Sequence, residues 1–247
     1  MKTVLREHGL QTADDLITQL TSASHGALAD AVVDALLNRE TSFFRDTGVL
    51  EMVVDAAASL QAEHPGRRLR IWSAGCSTGQ EPYSLAMLFE EAAVARGLLM
   101  PEIIATDVSA ATLARARAGR FTQFEIQRGL PVRRMVNWFE QDGEEWVVRA
   151  ELARRVQFRR HNLTQDRALV GKFDIVLCRN VLFYFPPAMR SRAYSTLREA
   201  VRDDGFLLLG AGETVIGQTD SFAPCPAFRG LYRAEAAAEL RAAVGSR

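Results

Sequence analysis

The chain has 247 residues, of which 48% are hydrophobic and 24% are charged, and its 30 basic side chains balance its 30 acidic ones. These values are ordinary for a globular protein and exclude a highly charged, disordered chain. No stretch approaches the roughly 20 continuous apolar residues that a membrane-spanning helix needs, so we expect no membrane insertion. The length allows one large domain or two unequal ones.

The three cysteines are scattered, and the four histidines never pair at metal-ligand spacing. An odd and scattered set of cysteines argues against a disulfide framework and favours a reducing cytosol. The N-terminus turns charged within a few residues and lacks a signal-peptide core. We therefore expect a cytoplasmic protein without a metal site.

The first 64 residues are predicted to be helical. Apolar residues at spacing four predict a helix over 27–37, and a second amphipathic helix is predicted over 49–60. A polar connection with Pro and Gly follows at 61–68. It marks the predicted boundary between an N-terminal helical domain, residues 1–64, and a second domain, residues 65–247.

From residue 69 the pattern alternates between strand and helix, which is typical of a parallel α/β sheet. Strands are predicted at 69–74, 102–106, 173–178, 206–209 and within 228–233, and helices at about 80–96, 109–118 and 187–202. The alternation breaks over about 125–160. A short helix at 132–138 and strand-like runs at 145–149 and 155–158 predict an inserted β element on the edge of the sheet.

A turn bracketed by glycines follows the first predicted strand. Gly75 and Gly79 permit close approach of a ligand, but no lysine follows and the G-x-G-x-x-G pattern is incomplete, so the turn is not a P-loop. Glu81 stands at the start of the next helix, where it would repel a pyrophosphate and attract a cation. S-adenosylmethionine has an adenosine, a sulfonium and an ammonium but no phosphate. It therefore fits this turn better than NAD or ATP.

Two other strand ends supply candidate ligand contacts. Asp107 ends the second strand, where an acid can accept hydrogen bonds from both ribose hydroxyls, although it could instead cap the following helix. Asn180 and Val181 follow the strand over 173–178, and ligands of such sheets bind beyond the carboxyl ends of the strands. We therefore expect both residues near the cofactor and Tyr184 near the reacting centre.

The region from 111 to 160 is electrostatically uneven. It contains eleven arginines and six acids, a local excess of about +5 (11 − 6). This excess favours either an acidic partner or simply a solvated face.

Together these motifs resemble the chemotaxis-receptor glutamate O-methyltransferases, the CheR-type family. The matching segments are residues 40–46, 71–84, 105–107, 161–163 and 173–185. The resemblance implies a class I, Rossmann-like methyltransferase sheet with an N-terminal helical domain and an inserted small antiparallel β subdomain. It implies S-adenosyl-L-methionine as methyl donor and S-adenosyl-L-homocysteine as product. It also implies that the methyl acceptors are glutamate side chains on the cytoplasmic helical region of a chemoreceptor.

The resemblance assigns site residues by position. Some close over the cofactor from the helical domain, two acids hold its amino-acid and ribose portions, and others border the adenine. In chain order, the expected cofactor-binding residues are Thr41, Arg45, Gly75, Glu81, Asp107, Asn162, Leu163, Asn180 and Val181. The expected catalytic residues are Arg45, which orients the substrate carboxylate or clamps the cofactor end, and Tyr184, which lines the methyl-transfer channel. No general base is needed, because a glutamate with a pKa of about 4.3 is ionised at neutral pH.

The sequence departs from the family pattern in two places. The family usually has Asn six residues before the arginine of the Phe-Phe-Arg motif, whereas here that residue is Arg39 and Asn38 lies one position earlier. Members that dock a receptor's C-terminal pentapeptide have a longer glycine-rich loop where this chain has only the turn at 141–144. We therefore predict a methyltransferase, expected to be a monomer, that works without this tether.

Three alternatives compete with this interpretation. A methyltransferase of a nucleic acid or a small molecule is the first, but no interleaved aromatic residues of the kind that stack on single strands accompany the arginines. We expect no stable nucleic-acid partner. A non-catalytic module that binds S-adenosylmethionine is the second alternative. An NAD-binding domain is the third, and Glu81 disfavours it.

Overall fold

The computed structural model describes residues 1–22 and 26–235; the tail beyond, expected to be a frayed helix or a linker, lies outside the described residues. Three short helices come first: α1 (Lys2–Glu7), α2 (Ala13–Thr21) and α3 (Gly26–Leu36). A capping box begins α2, since Thr12 Oγ1 accepts from the Asp15 N–H and the Asp15 carboxylate accepts from the Thr12 N–H. These helices share a small apolar cluster of their own, formed by Val4, Leu16 and Leu28.

Helix α4 (Thr47–Glu63) packs with the rest of the chain rather than with the first three helices. Its Leu50, Val53 and Leu60 are buried in the same cluster as Phe43 and the apolar side chains of the main sheet. The predicted domain boundary after residue 64 stays a prediction. The apolar cluster of the first three helices is separate from the cluster that contains α4, so the division between the clusters lies before α4.

Ten strands lie within the described residues. They are β1 (Arg70–Ala74), β2 (Glu102–Asp107), β3 (Arg120–Thr122), β4 (Phe139–Asp142), β5 (Glu145–Val148), β6 (Val156–Arg160), β7 (Phe173–Cys178), β8 (Val201–Leu209), β9 (Phe222–Pro224) and β10 (Leu231–Ala234). The remaining helices are α5 (Gln80–Arg96), α6 (Ala110–Ala118), α7 (Gln123–Gln127), α8 (Val132–Trp138), α9 (Ala150–Ala153), a 3₁₀ helix (Leu182–Tyr184) and α10 (Pro187–Ala200).

The main sheet has seven strands in the order β6–β2–β1–β7–β8–β10–β9. The first five strands are parallel to one another. Strand β10 lies between β8 and β9 and is antiparallel to both. Every residue of β7 is buried, as expected for a parallel strand covered on both faces. One apolar cluster contains side chains of α4 and α5, and the other contains side chains of α10. The predicted α/β class is confirmed.

The strand order reverses beside β1, because β2 lies on one side of it and β7 on the other. Such a reversal opens a crevice at the carboxyl ends of the strands. The turns after β1, β2 and β7 therefore meet at one end of the sheet.

The inserted element is a three-stranded antiparallel sheet in the order β3–β5–β4, with Gly143 in the turn between β4 and β5. One part of the prediction is wrong: the run at 155–158 does not belong to this element. It forms β6, which pairs in parallel with β2 along the edge of the main sheet. Its alternating apolar residues, Val156 and Phe158, suit the face of either sheet, so the pattern alone cannot choose the partner. The three-residue strands β3 and β9 were not predicted, because they are too short for a periodic signal.

Candidate cofactor and methyl-transfer site

A cavity of about 590 Å³ lies at the carboxyl ends of β1, β2 and β7. All ten predicted site residues line it: Thr41, Arg45, Gly75, Glu81, Asp107, Asn162, Leu163, Asn180, Val181 and Tyr184. The sheet brings most of them together because its strand ends meet at this edge. The segment between α3 and α4 supplies the others.

The turn after β1 forms the floor of the cavity. The Gly75 and Cys76 N–H groups donate to the Thr106 carbonyl at 2.8 and 2.9 Å, which fixes the turn against β2. Gly75 has a positive φ of 78°, and a Cβ atom there would lie 2.5 Å from Val181 Cγ2. Only glycine fits here, because a Cβ atom would overlap the Val181 side chain.

Glu81 lies in the first turn of α5 and is held on both carboxylate oxygens. Oε1 accepts from Ser73 Oγ at 2.8 Å, and Oε2 accepts from Arg179 Nη1 at 3.0 Å. Each oxygen keeps a second lone pair, so the carboxylate can still face a cation in the cavity.

Arg179 is a site residue that sequence reasoning missed. Its side chain is only 3% exposed, and it bonds Glu81, the Asp46 carboxylate and the Arg45 carbonyl, the last at 3.3 Å. It therefore joins the start of α5 to the segment that precedes α4. A signal was present, since Arg179 stands directly beyond β7, where the same strand-end rule pointed to Asn180.

Asp107 ends β2 beside the cavity. Its Oδ2 accepts from the Ser77 N–H and its Oδ1 from the Ser109 N–H, both at 3.0 Å. The two roles considered for Asp107 are thus compatible, because it bonds the start of α6 while lining the cavity. Burial raises the pKa of the Asp107 carboxyl above its usual range, and the nearby charge of Asp34 acts in the same direction.

Other residues that line the cavity have apolar or amide side chains. Leu163 is buried and Val181 is partly buried. Asn162 Oδ1 accepts from the N–H and the hydroxyl of Thr164, at 3.0 and 2.9 Å. Its amide group is therefore oriented with the oxygen engaged. Asn180 has the left-handed backbone conformation, with φ of 60°.

The segment between α3 and α4 also lines the cavity. Arg45 stands between two residues with positive φ, Phe44 at 51° and Asp46 at 58°. Such strained residues persist where the surrounding structure holds them, and they concentrate at functional sites. Asn38 Nδ2 donates to the Tyr184 hydroxyl at 2.7 Å, so the asparagine that departs from the family spacing still reaches this site.

Helix α3 also lies against the cavity. Val33, near its end, lines the cavity together with the adjoining Leu37 and Asn38. Asp30 of α3 forms an ion pair with Arg160 at the end of β6. Helix α3 is therefore part of the cavity wall.

The arginine excess between 111 and 160 is largely neutralised in the fold. Eight of the eleven arginines form ion pairs, several with acids from outside the region. These eight are Arg115, Arg120, Arg128, Arg134, Arg149, Arg154, Arg155 and Arg160. The three others have no carboxylate partner within the parts of the chain that the structure covers. A strongly basic face is therefore not formed by these residues as a group.

The residues that line the cavity fit S-adenosylmethionine. Asp107 can accept from a diol, Glu81 can face an ammonium, and Leu163 and Val181 can flank a purine. No helix within residues 1–22 and 26–235 is long and apolar enough to cross a membrane.

Comparison with known proteins places the chain in a family. Residues 39–231 match the family described as "CheR methyltransferase, SAM binding domain". The chemotaxis protein methyltransferase Cher2 of Pseudomonas putida is 35% identical over 89% of this chain and 82% of its own length. A chemotaxis protein methyltransferase of Vibrio parahaemolyticus is 39% identical over 86% of this chain and 78% of its own.

Chemotaxis protein methyltransferase 1 of Pseudomonas aeruginosa is 35% identical over 94% of this chain and 86% of its own length. Among solved structures, a TehB-like SAM-dependent methyltransferase from Corynebacterium glutamicum covers 73% of this chain and 87% of its own, with 14% identity and a TM-score of 0.42. The assignment rests on the domain match and on the sequence relatives. The chain belongs to the CheR methyltransferase family and carries its SAM-binding domain.

Proposed function

We propose that this protein transfers a methyl group from S-adenosyl-L-methionine to glutamate side chains in the cytoplasmic helical region of a chemoreceptor. The products are glutamyl methyl esters and S-adenosyl-L-homocysteine. The observation that carries the proposal is the single cavity into which the fold gathers all ten expected residues. The names of the relatives, which are chemotaxis protein methyltransferases, support the choice of substrate.

The proposed division of labour follows from the positions of the side chains. When bound, S-adenosylmethionine supplies an electrophilic methyl group. Glu81 holds its ammonium end, Asp107 holds its ribose hydroxyls, and Leu163 and Val181 exclude water around the adenine. The glutamate is already ionised at neutral pH, so the protein needs to aim it rather than deprotonate it. Positioning of this kind can contribute roughly 7–11 kcal/mol in the best intramolecular cases.

Arg45 and Tyr184 are the proposed aiming groups. A guanidinium can bind a carboxylate with two parallel hydrogen bonds, and Arg45 is placed between two strained residues at the cavity's edge. Tyr184 accepts from Asn38 and keeps its own hydroxyl hydrogen to donate. The side chain of Tyr184 is 54% exposed, so it lies where a protein substrate could reach it.

The first experiment measures transfer of labelled methyl groups from S-adenosylmethionine to membranes that contain chemoreceptors. Methyl esters release methanol in mild alkali, whereas methyl groups on nitrogen do not. Alkali-labile label on the receptor is the expected result. Alkali-stable label would indicate another substrate class, and cofactor binding without any transfer would indicate a non-catalytic module.

The role of Arg45 is tested with Arg45→Ala. If Arg45 aims the substrate, Arg45→Ala lowers turnover while the affinity for S-adenosylhomocysteine, measured by calorimetry, stays close to wild type. If it clamps the cofactor, that affinity falls as well. Wild-type kinetics in Arg45→Ala would contradict both roles.

We also propose that the protein works without a pentapeptide tether, as a cytoplasmic monomer. The turn between β4 and β5 is short, since Asp142 pairs with Glu145, and it leaves no long loop to bind a peptide. Calorimetry with a receptor C-terminal pentapeptide should show no appreciable binding, and binding would overturn this proposal. Sedimentation at assay concentration tests the monomer.

A further inference from the structure

One carboxylate beside the site, that of Glu213, accepts an unusual number of backbone hydrogen bonds. Oε1 accepts from the N–H groups of Val181, Leu182 and Phe183, at 2.9, 2.7 and 3.3 Å. Oε2 accepts from Asn180 and Gly210, both at 2.8 Å. Four of the five donors belong to the loop that follows β7.

Within residues 1–22 and 26–235, the hydrogen bonds to the Glu213 carboxylate come from backbone N–H groups. No lysine, arginine or histidine within the described ranges forms an ion pair with Glu213, which is half-buried. A carboxylate has about four lone-pair sites, and N–H donors to a charged acceptor give the stronger kind of hydrogen bond. The loop after β7 is thus wrapped around an anion that comes from the turn after β8.

The turn that carries Glu213 is itself fixed. The Glu213 N–H donates to the Gly210 carbonyl at 2.9 Å, and the Tyr194 hydroxyl of α10 donates to the Thr214 carbonyl at 2.8 Å. Gly210 is in close contact with the loop, since a Cβ there would lie 2.8 Å from the Asn180 N and 2.9 Å from Glu213 Oε2. The carboxylate therefore has little freedom to move away from its donors.

We propose that Glu213 is a positioning residue for the cofactor wall. It is not among the residues that line the cavity, but it holds the backbone of Asn180 and Val181, which are. Asn180 has a left-handed backbone conformation that is costly for a residue with a Cβ, and the two hydrogen bonds on either side of that conformation go to Glu213. Without the carboxylate, this wall loses the contacts that set its distance from Gly75. The inference rests on the proposed function, since it assigns Glu213 a part in cofactor binding.

The test is Glu213→Gln in the full chain. Glutamine has nearly the same shape, but its NH₂ group would face either three or two backbone N–H donors, which are then left unpaired. Because unpaired buried donors are costly, we expect the KM for S-adenosylmethionine and the Kd for S-adenosylhomocysteine to rise about tenfold. The wall binds the cofactor equally in the ground state and the transition state, so kcat should stay within about twofold of wild type.

This split separates positioning from a general loss of structure. A variant that merely unfolds more readily would have fewer active molecules, hence a lower apparent kcat with an unchanged KM. Glu199→Gln makes the same chemical change on an exposed residue of α10 and should behave like wild type. Gly210→Ala places a Cβ against the Asn180 N and Glu213 Oε2, and should raise the KM in the same way if Glu213→Gln fails to fold.

A KM and a Kd that stay at wild-type values in both Glu213→Gln and Gly210→Ala would overturn the role of Glu213. Failure of the proposed function gives a different result, because wild-type protein would then either not bind S-adenosylhomocysteine or bind it without transferring methyl groups to receptors. The two failures are therefore distinguished by these titrations together with the transfer assay.

Discussion

Gly75→Ala tests how closely the turn after β1 must approach Val181. The new Cβ would lie 2.5 Å from Val181 Cγ2, and the residue would keep a φ of 78°. Restoring an ordinary carbon–carbon distance requires Val181 or the turn to move by roughly 1 Å. The substitution thus perturbs the backbone conformation and the packing at the same position.

The magnitude has two parts. A left-handed conformation costs a residue with a Cβ about 1–2 kcal/mol, and forcing extra atoms into a packed site costs about 1–3 kcal/mol. The expected loss in the free energy of unfolding is therefore about 2–5 kcal/mol. Gly97→Ala is the matched control, since Gly97 has a φ of 67° and no atom within 4 Å of a built Cβ. Its loss should be only the conformational part.

Urea unfolding of both variants measures the difference. Any gain from stiffening the unfolded chain is common to the two substitutions and cancels. Gly75→Ala should be about 1–3 kcal/mol less stable than Gly97→Ala and should bind S-adenosylhomocysteine more weakly, since Val181 is displaced. Equal losses of stability in the two variants, with unchanged binding, would refute the reasoning.

Two further predictions concern the charged groups of the site. An ionised Asp107 accepts from both ribose hydroxyls more strongly than a protonated one, and its pKa is raised, so affinity for S-adenosylhomocysteine should fall with acidification already above the usual carboxyl range. Asp107→Asn should bind more weakly and lose this pH dependence; a wild-type affinity that is flat between neutral pH and the usual carboxyl range would contradict it. The effect on folding has the opposite sign: because the folded pKa is the higher one, the stabilising contribution of Asp107 is complete below the unfolded pKa and is lost as pH rises through the folded one. Arg179→Met leaves the carboxylates of Glu81 and Asp46 uncompensated and should lower the free energy of unfolding by about 3 kcal/mol, the lower end of the range for a broken buried pair, because Asp46 is half-exposed. Adding Glu81→Gln should restore part of that loss, and a thermal or urea unfolding cycle in which the two changes are simply additive would argue against the pairing.

The sequence predicted elements best where local signals agree. The bounds of α5 and β7 match the prediction because glycines, a proline and continuous apolar runs coincide there. The placement of β6 failed because a short alternating strand specifies its faces but not its neighbour.

The candidate site was predictable to the extent that it follows from strand ends. That rule located Asp107 and Asn180, and applied once more it would have drawn attention to Arg179 and Glu213, which stand beyond β7 and β8. Ion pairs between distant elements, such as Arg160 with Asp30, are invisible in a local charge count. The local count therefore overstated the positive charge of this region, because acids from other parts of the chain pair with its arginines.

The position of α3 has a consequence for where the functional unit begins. The family match starts at residue 39, yet Val33 and Leu37 line the cavity, and Asp30 and Asn38 anchor them to β6 and Tyr184. A fragment cut at the start of the match would retain the whole main sheet and the acids that line the cavity, but it would lack the cavity-lining side chains of α3. The residues that form the cavity thus extend further toward the N-terminus than the residues that match the family.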